Sequence, residues 1–597
     1  MLLTKRFSKL FKLTFIVLIL CGLFVITNKY MDENTSVKNY KTYLDNYVQS
    51  YSNKYSSSSD AAGADDSAPL KGNDEAGNVK LKSFYNNVFN FLMVDSPKGK
   101  TAKKYNEACL LNGDIGDRPD HYKDLYKLSA KELSKCLELS PDEIARLTKS
   151  HKDYVDHIGT LVSPKGTYKG SGIATVGGGR FSLMAFLIIK TLRNMGTTLP
   201  VEVLIPPGDE GETEFCNKIL PKYNSKCIYV SDILPSETIE KFVFKGYQFK
   251  SLALVASSFE NLLLLDADNF PIKPLDNIFN EEPYVSTGLV MWPDFWRRTT
   301  HPLYYDIAGI SVDKKKRVRN SQDDITPPAV YTKNLNDLDD IPLSDLDGTM
   351  PDVSTESGQL MINKSKHLAT ALLSLFYNVN GPAWYYPIFS QKAAGEGDKE
   401  TFIAAANFYG LPFYQVRTRT GVEGYHDKDE FHGVAMLQHD FVQDYSHYLT
   451  AIKSINNKYS GIKSPDATKF DKNYSLEKYT KEFFDNEDLN AKDHVDVMFI
   501  HSNFPKFDPY DLSETNFLTI DDKPARSYTA LHKIQNYDIE LENFKILNEY
   551  VCVNKNPFKY LDDKLGQDKK EWKRVCDYVS NKLTFLESTH DKAIAGK

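Results

Sequence analysis

The chain has 597 residues, 41% of them hydrophobic and 26% charged, enough to build a large core and too apolar for an intrinsically disordered protein. Its net charge of −7 and the absence of any basic run beyond Lys314 to Arg319 argue against a nucleic-acid partner. No internal repeat is evident, and the 36 Tyr and 34 Phe are accounted for mostly by core packing.

At the N-terminus Lys5, Arg6, Lys9 and Lys12 precede an uncharged, mostly apolar run over residues 13–27. At helical rise this run spans roughly 22 Å, short of the roughly 30 Å hydrocarbon core, so a cleaved signal peptide competes with an anchor. No small-x-small site follows Ile26, and the basic residues lead the run. The expectation is therefore an uncleaved transmembrane anchor, with residues 1–12 cytoplasmic and everything after it lumenal. A short span suits the thinner membranes of the early secretory pathway. Residues 28–81 are rich in Ser, Asp, Gly and Ala; they cannot bury enough surface to offset ordering entropy and read as a flexible stem. Residues 82–597 read as one lumenal domain.

Cys21 lies in the apolar run, and the other six cysteines fall as sequence-local couples: Cys109 with Cys136, Cys216 with Cys227 and Cys552 with Cys576. In an oxidising compartment they suggest disulfides, although six cysteines allow about 15 connectivities and only spacing favours Cys216 with Cys227. None shows the CxxC pairing of a zinc site. Sequons stand at Asn34, Asn363 and Asn473.

Between residues 170 and 274 strand and helix patterns alternate. GSGIATVGG reads as a first strand, residues 181–195 as an amphipathic helix, PVEVLIP as a second strand, residues 213–220 as a short helix and CIYV as a third strand. A helix over residues 246–258 leads into the fully apolar run Leu262, Leu263, Leu264, Leu265. Such β-α-β alternation predicts a parallel sheet with helices on both faces. The leucine run breaks into Asp266, Ala267 and Asp268, where ligands bind in open α/β sheets. Read at period two, both carboxylates face one side, a hard oxygen pair suited to Mg²⁺ or Mn²⁺ carrying phosphate. The plainer reading is an acidic turn. Gly177, Gly178 and Gly179 before Arg180 could offer backbone N–H groups to a phosphate, though they lack the GxGxxG and GKS patterns and equally suit a tight turn.

Downstream, VSTESGQLMINKSKH reads as a turn and short strand opening a helix, with Glu356 at the turn. GEGDKETF puts Asp398 and Glu400 at the start of a helix over residues 401–408, where the helix dipole alone could explain them. VDVMFIHSNFPK is an apolar run breaking at His501, with Lys506 five residues on; a histidine there is a structural residue or the third ligand that an Asp-x-Asp site lacks. Residues 311–350, polar and mixed in charge, read as a long loop insertion with the makings of a lid.

The run YQFKSLALVASSFENLLLLDADNFPIKPLDNIF, with TVGGGRFSLMAFLIIKTLR, STGLVMWPDFWRRTTHPLYY and ESGQLMINK, resembles the fungal Golgi α-mannosyltransferases of the MNN type, over most of residues 170–507. Within them it is most similar to those adding α-1,2-linked mannose to the α-1,6-mannan backbone of N-glycan outer chains. The resemblance implies a GT-A fold, GDP-mannose as donor, Mn²⁺ as cofactor, retention of configuration, and residence in the Golgi membrane with a mannosyltransferase complex there as a partner. It implies that Asp266 and Asp268 hold Mn²⁺ on the donor diphosphate, with His501 completing the metal site and Lys506 meeting the diphosphate as in an HxxGxxK element. That match is partial, since the glycine position is Phe504. Lys250 matches a donor-reaching lysine, and Arg180 would lie near the nucleotide. Asp398 and Lys399 stand where similar retaining enzymes have Asp-Gln, and the lysine leaves the role of that pair open.

Retention needs a carboxylate behind the anomeric carbon or front-face attack guided by the leaving phosphate; Glu356, Asp398 and Glu400 are the candidates for the former. Trp292, Asp294 and Trp296 could line an acceptor groove or serve the core. Three alternatives stand beside this reading. One is an α-1,3-adding member of the same family, and another a non-catalytic lumenal mannan-binding protein on the same fold. The third is an aspartate-nucleophile phosphatase, which would want a Thr-containing continuation where this chain has Asn269 and Phe270.

Overall fold

The computed structural model of the protein describes residues 75–595, except residues 102, 112–121, 334–336, 429, 461–469, 485, 487–493 and 521–522. The apolar run over residues 13–27, the stem up to residue 74, Cys21 and the sequon at Asn34 lie outside the described residues. Among the described residues no helix is long and apolar enough to cross a membrane.

Helix α1 (Glu75–Asp95) crosses the expected stem boundary at residue 81 and buries Phe84, Phe89 and Leu92 on the domain side of it, while Val79 and Lys80 are exposed. Helix α2 (Pro141–Ile158) starts from a capping box, Ser140 accepting from the Glu143 N–H and Glu143 accepting from the Ser140 N–H, with proline at the first helical position. Then come β1 (Ser171–Val176), α3 (Arg180–Asn194), β2 (Val201–Ile205), β3 (Ser225–Tyr229), α4 (Gln248–Ala256) and β4 (Asn261–Leu265). This is the expected alternation, except that the second short helix is a π-turn, Phe215–Ile219, running into a 3₁₀ turn, Leu220–Tyr223.

The central sheet has seven strands and is mixed rather than parallel. β1 to β4 run parallel in the order β4-β1-β2-β3. The chain then makes β5 (Asn269–Pro271), β6 (Leu289–Pro293) and β7 (Thr355–Asn363), and β7 inserts antiparallel between β4 and β6. The pattern of apolar residues cannot reveal that reversal, because a strand buried on both faces reads the same in either direction. α5 (Lys364–Val379) and α6 (Thr401–Phe408) follow, then β8 (Tyr414–Gln415), parallel to β6 at the edge. A second, antiparallel sheet joins β9 (Gly421–Asp427), β10 (Glu430–His439), β11 (Val497–His501) and β5.

The leucine run divides between two cores. Leu262 and Leu264 pack into one, with α1, α2, α4, α5 and α6; Leu263 and Leu265 pack into the other, with α3, the second sheet and the C-terminal helix α7 (Lys569–Ile594). All four are at most 1% exposed, and burial of a leucine is worth about 1.5–3 kcal/mol, so this strand fixes the register of both layers. The three cysteine couples are disulfides, Cys109–Cys136, Cys216–Cys227 and Cys552–Cys576. Asn363 is committed to structure: its Nδ2 donates to Asn261 Oδ1 at 2.8 Å and its Oδ1 accepts from the Lys366 N–H. Asn473 is exposed.

The insertion over residues 311–350 is packed. Strand Asp313–Arg317 pairs with Leu346–Asp347, and the buried Arg317 guanidinium meets Asp345 at 2.6 Å. Within the short basic run Lys316 pairs with Asp347, Arg317 with Asp345, and Arg319 donates to Ser344 O, while Lys314 and Lys315 are exposed.

Candidate active site

The carboxyl ends of β1, β2 and β4 open into a cleft of about 610 Å³, closed on the far side by β6, β7 and the loop before α6. Asp266 and Asp268 reach it from a turn rather than from strand alternation: the Asn269 N–H donates to Asp266 O at 3.0 Å, folding the three-residue step between β4 and β5. The turn puts both carboxylates on one side, the outcome that period two predicts by a different geometry. β11 pairs with β5, His501 opposite Asn269, and so delivers its terminal histidine to the same place. His501 Nε2 is 3.3 Å from Asp268 Oδ1 and 4.0 Å from Asp266 Oδ2, while its Nδ1 is 3.5 Å from Glu356 Oε1. Gly358 on β7 makes the room: a Cβ there would stand 2.6 Å from His501 Nδ1.

These three side chains present one ligand atom each, all within 4.8 Å of one another. Two carboxylate oxygens and an imidazole nitrogen suit a first-row divalent ion, and the spacing suits ligands bonded at about 2 Å to a shared ion. The donor set therefore fits Mn²⁺. Burial alone would raise the Asp268 carboxyl, but His501 and the Lys506 ammonium hydrogen-bonded to it hold it well below the usual carboxylate range. Burial would lower His501, yet Asp268, Glu356 and Asp266 push it up to about 9. The acids thus keep positive charge beside them, charge that a divalent cation replaces with release of a proton.

Lys250, on α4, is the second centre of charge. Its ammonium contacts Asp266 Oδ2 at 3.1 Å, Ser357 Oγ at 2.8 Å and Asp398 Oδ2 at 3.2 Å, and these acids more than offset its burial. Burial pushes Asp398 up to about 6, with Lys250 opposing and Asp266 adding. Asp294, just beyond β6, is raised by burial and partly restored by Lys399, whose Nζ donates to Asp294 Oδ2 at 2.6 Å.

Of the predicted site residues, Asp266, Asp268, His501, Lys250, Lys506, Glu356, Asp398 and Asp294 all face the cleft. Three do not. Arg180 turns outward, ion-paired with Asp511 at 3.1 Å, because the helix it opens directs it away from the glycine loop. Glu400 is buried against Arg298 and accepts from Ser354 Oγ at 2.6 Å; it is neither a wall residue nor a side-chain cap of α6. Trp292 is fully buried, its Nε1 donating to His439 O at 2.8 Å and its ring edge-on to Phe441 and Phe499, so its part is the core and not an acceptor groove. No described residue of 311–350 lines the cleft. Sequence reasoning missed Ser357, which links Lys250 to Asp398 at 3.0 Å, and the cleft-lining Tyr247 and Asp209. The first could have been found from its place one residue after Glu356; the other two carry no local signal.

A family model described as "Mannosyltransferase putative" matches residues 170–440, the span of the central sheet. Alpha-1,2-mannosyltransferase MNN2 of Saccharomyces cerevisiae (strain ATCC 204508 / S288c) is 90% identical over the whole of both chains. The chain belongs to the MNN-type fungal mannosyltransferases. Alpha-1,2-mannosyltransferase MNN5 of S. cerevisiae (strain YJM789) is 42% identical, covering 79% of this chain and 83% of its own. A solved glycosyltransferase, GlyE of Streptococcus pneumoniae TIGR4, shares 10% identity at a TM-score of 0.25, over 42% of this chain and 45% of that one. This protein is accordingly a glycosyltransferase that moves mannose, and the cleft on its central sheet is the candidate site of transfer.

Proposed function

We propose that this mannosyltransferase takes mannose from GDP-mannose and forms an α-1,2 linkage on the α-1,6-mannan backbone of N-glycans, with Mn²⁺ held by Asp266, Asp268 and His501 in a GT-A-type site. The observation that carries the reading is the convergence of those three side chains, from two separate sheets, at the carboxyl end of β4. The linkage named for the relatives supports the α-1,2 assignment. The basic residues before the apolar run over 13–27 and the three disulfides support an anchored, lumenal, Golgi enzyme.

When bound, a divalent ion supplies positive charge against the diphosphate and stabilises it as a leaving group. Lys506, 30% exposed beside Asp268, gives a second positive charge aimed at charge that grows as the sugar–phosphate bond breaks. Lys250, 9% exposed, pairs with both Asp266 and Asp398 and holds them in place. Asp398 and Glu356 are the carboxylates open to the cleft, and with Glu400 sequestered by Arg298 they are the remaining candidates for the face behind the anomeric carbon. Asp294, held by Lys399, offers an acceptor to sugar hydroxyls.

The test is the full chain in detergent with GDP-mannose, Mn²⁺ and α-1,6-mannan, beside an Asp268→Ala variant, with product linkage read by NMR. New α-1,2-mannose that vanishes with EDTA and with the substitution is expected. An α-1,3 product would keep the site and replace the linkage; no transfer from any nucleotide sugar by the folded, metal-loaded protein would overturn the reading.

A further inference from the structure

The cleft is chemically lopsided about Asp266 and Asp268. Toward β6 and β7 its wall carries Asp294, Glu356, Asp398 and Lys399, groups suited to a ligand rich in hydroxyls. Toward β1 and β2 it carries Val176, Gly177, Phe181 and Pro206, an apolar and aromatic wall with a single carboxylate, Asp209. Register sets the separation. Ala174 pairs with Leu264 and Val176 with Leu204, so Asp266 is level with Val176 and Leu204 across the sheet. The Asp-x-Asp turn and the turn closed by the Asp209 N–H on Pro206 O therefore leave the sheet side by side, two strand spacings or roughly 10 Å apart. That is the reach of a nucleoside from its diphosphate to the far edge of its base.

Two local features prepare this end. Phe181, in the first turn of α3, is 38% exposed on the cleft wall, with the Arg180 guanidinium 5.4 Å from its ring centroid. Gly178 has φ +86°, and a Cβ there would stand 2.6 Å from Asp209 Oδ2 and 2.7 Å from Pro206 Cδ; only glycine lets the carboxylate lie over the loop. Lys559, the cation that acts on Asp209, donates its hydrogen bond to Asp563 instead.

We propose that Asp209 reads the guanine of the donor, with the Phe181 ring as its stacking face; the inference rests on the GDP-mannose reading above. Guanine presents N1–H and the N2 amino group as adjacent donors, and the two oxygens of one carboxylate accept both in a charge-assisted pair. Adenine places a lone pair where N1–H would be, and uracil flanks its single N–H with carbonyls that a carboxylate repels. The apolar wall excludes water from this contact.

The full chain in detergent with Mn²⁺ is titrated calorimetrically with GDP, inosine diphosphate and xanthosine diphosphate, and with UDP as the comparison nucleotide. The natural protein is expected to prefer GDP over inosine diphosphate, which lacks the 2-amino group, by about tenfold or more. In Asp209→Asn the carboxamide donates to the 2-carbonyl of xanthine, so the ratio of GDP to xanthosine diphosphate affinity falls by about a hundredfold. Asp209→Ala removes the discrimination between GDP and inosine diphosphate, and Phe181→Ala weakens all three alike. Unchanged thermal midpoints establish that the variants are folded. If the natural protein binds GDP and Asp209→Asn keeps its base preference within about twofold, the inference falls and the donor reading stands. A natural protein that binds GDP no better than UDP overturns the donor reading and the inference with it.

Discussion

Lys250 Nζ lies 3.2 Å from Asp398 Oδ2 in a largely buried ion pair on the cleft wall, and the same ammonium holds Asp266. Removing one member of a buried pair leaves its partner uncompensated, a cost of about 3–5 kcal/mol. Lys250→Met is therefore expected to lose about that much stability in denaturant titration, together with transfer activity. Adding Asp398→Leu to Lys250→Met should return most of the stability and none of the activity. Equal instability of single and double variants would show that Lys250 serves packing rather than charge.

Gly358 makes room for the candidate metal ligand His501 by its lack of a side chain. A Cβ at this position would approach His501 Nδ1 to 2.6 Å and Cε1 to 2.7 Å, and Asn269 Nδ2 to 3.2 Å. Gly358→Ala must swing the imidazole away from Asp268 at an overpacking cost of about 1–3 kcal/mol. Mn²⁺ affinity, followed by calorimetry or by the EPR signal of free Mn²⁺, is expected to fall about 10–100-fold, the range for disturbing the support of a ligand.

The contrast between Gly358 and the leucine run marks what could be read from sequence. The apolar strands, the helices between them and the Asp-x-Asp step are local patterns, and so was the histidine ending β11. What stayed hidden depended on pairing between distant segments. The antiparallel insertion of β7 carries Glu356, Ser357 and Gly358 into the cleft, and no local pattern announces the direction of a strand buried on both faces. Trp292 looked like a sugar platform because aromatic rings serve both surfaces and cores; its contact with His439 O, 147 residues on, settles it for the core. Arg180 and Glu400 were placed by proximity to motifs, but the partners that claim them, Asp511 and Arg298, are far along the chain.

Glu212 offers a pH test away from the metal ligands. It is 2% exposed, its Oε2 lacks a hydrogen-bond partner, and burial pushes it up to about 7 against the pull of the Ser182 hydroxyl. A carboxyl whose folded value lies above its unfolded one contributes stability below the unfolded value, near 4.5, and loses it as pH rises through 7. Glu212→Gln removes the buried charge. Its stability should match the natural protein near pH 4.5 and exceed it increasingly up to pH about 7.5, by roughly 1–3 kcal/mol, the range for an unpartnered buried polar group. Denaturant midpoints across that pH range measure the difference; a constant offset would locate the effect in packing.

The Cys552–Cys576 disulfide ties the third turn of α7 to the π-helical segment Asn548–Val553, and α7 in turn buries Val575, Val579 and Leu586 in the core behind α3. Closing a loop of sequence separation 24 is worth about 2–4 kcal/mol. A Cys552→Ser, Cys576→Ser double variant should lose about that stability. Because α7 lies on the layer beneath the sheet and contributes nothing to the cleft wall, its kcat at temperatures where it remains folded is expected to stay within about twofold of the natural value.

Trp292 separates a core role from an acceptor role. Its neighbour across the sheet is Glu356, so the ring braces, from beneath, the strand pair that presents Glu356 and Asp294 to the cleft. Trp292→Phe keeps an aromatic ring but deletes the hydrogen bond to His439 O and part of the contact with Phe499. Stability should fall by about 1–3 kcal/mol, while KM for a mannan acceptor stays within about threefold. Lys399→Met is the counterpart, since Lys399 holds Asp294 at the cleft wall: there the acceptor KM is expected to rise about tenfold or more with little change in the KM for the sugar donor. The opposite pattern, a large acceptor effect at Trp292 and none at Lys399, would move the acceptor to the second sheet.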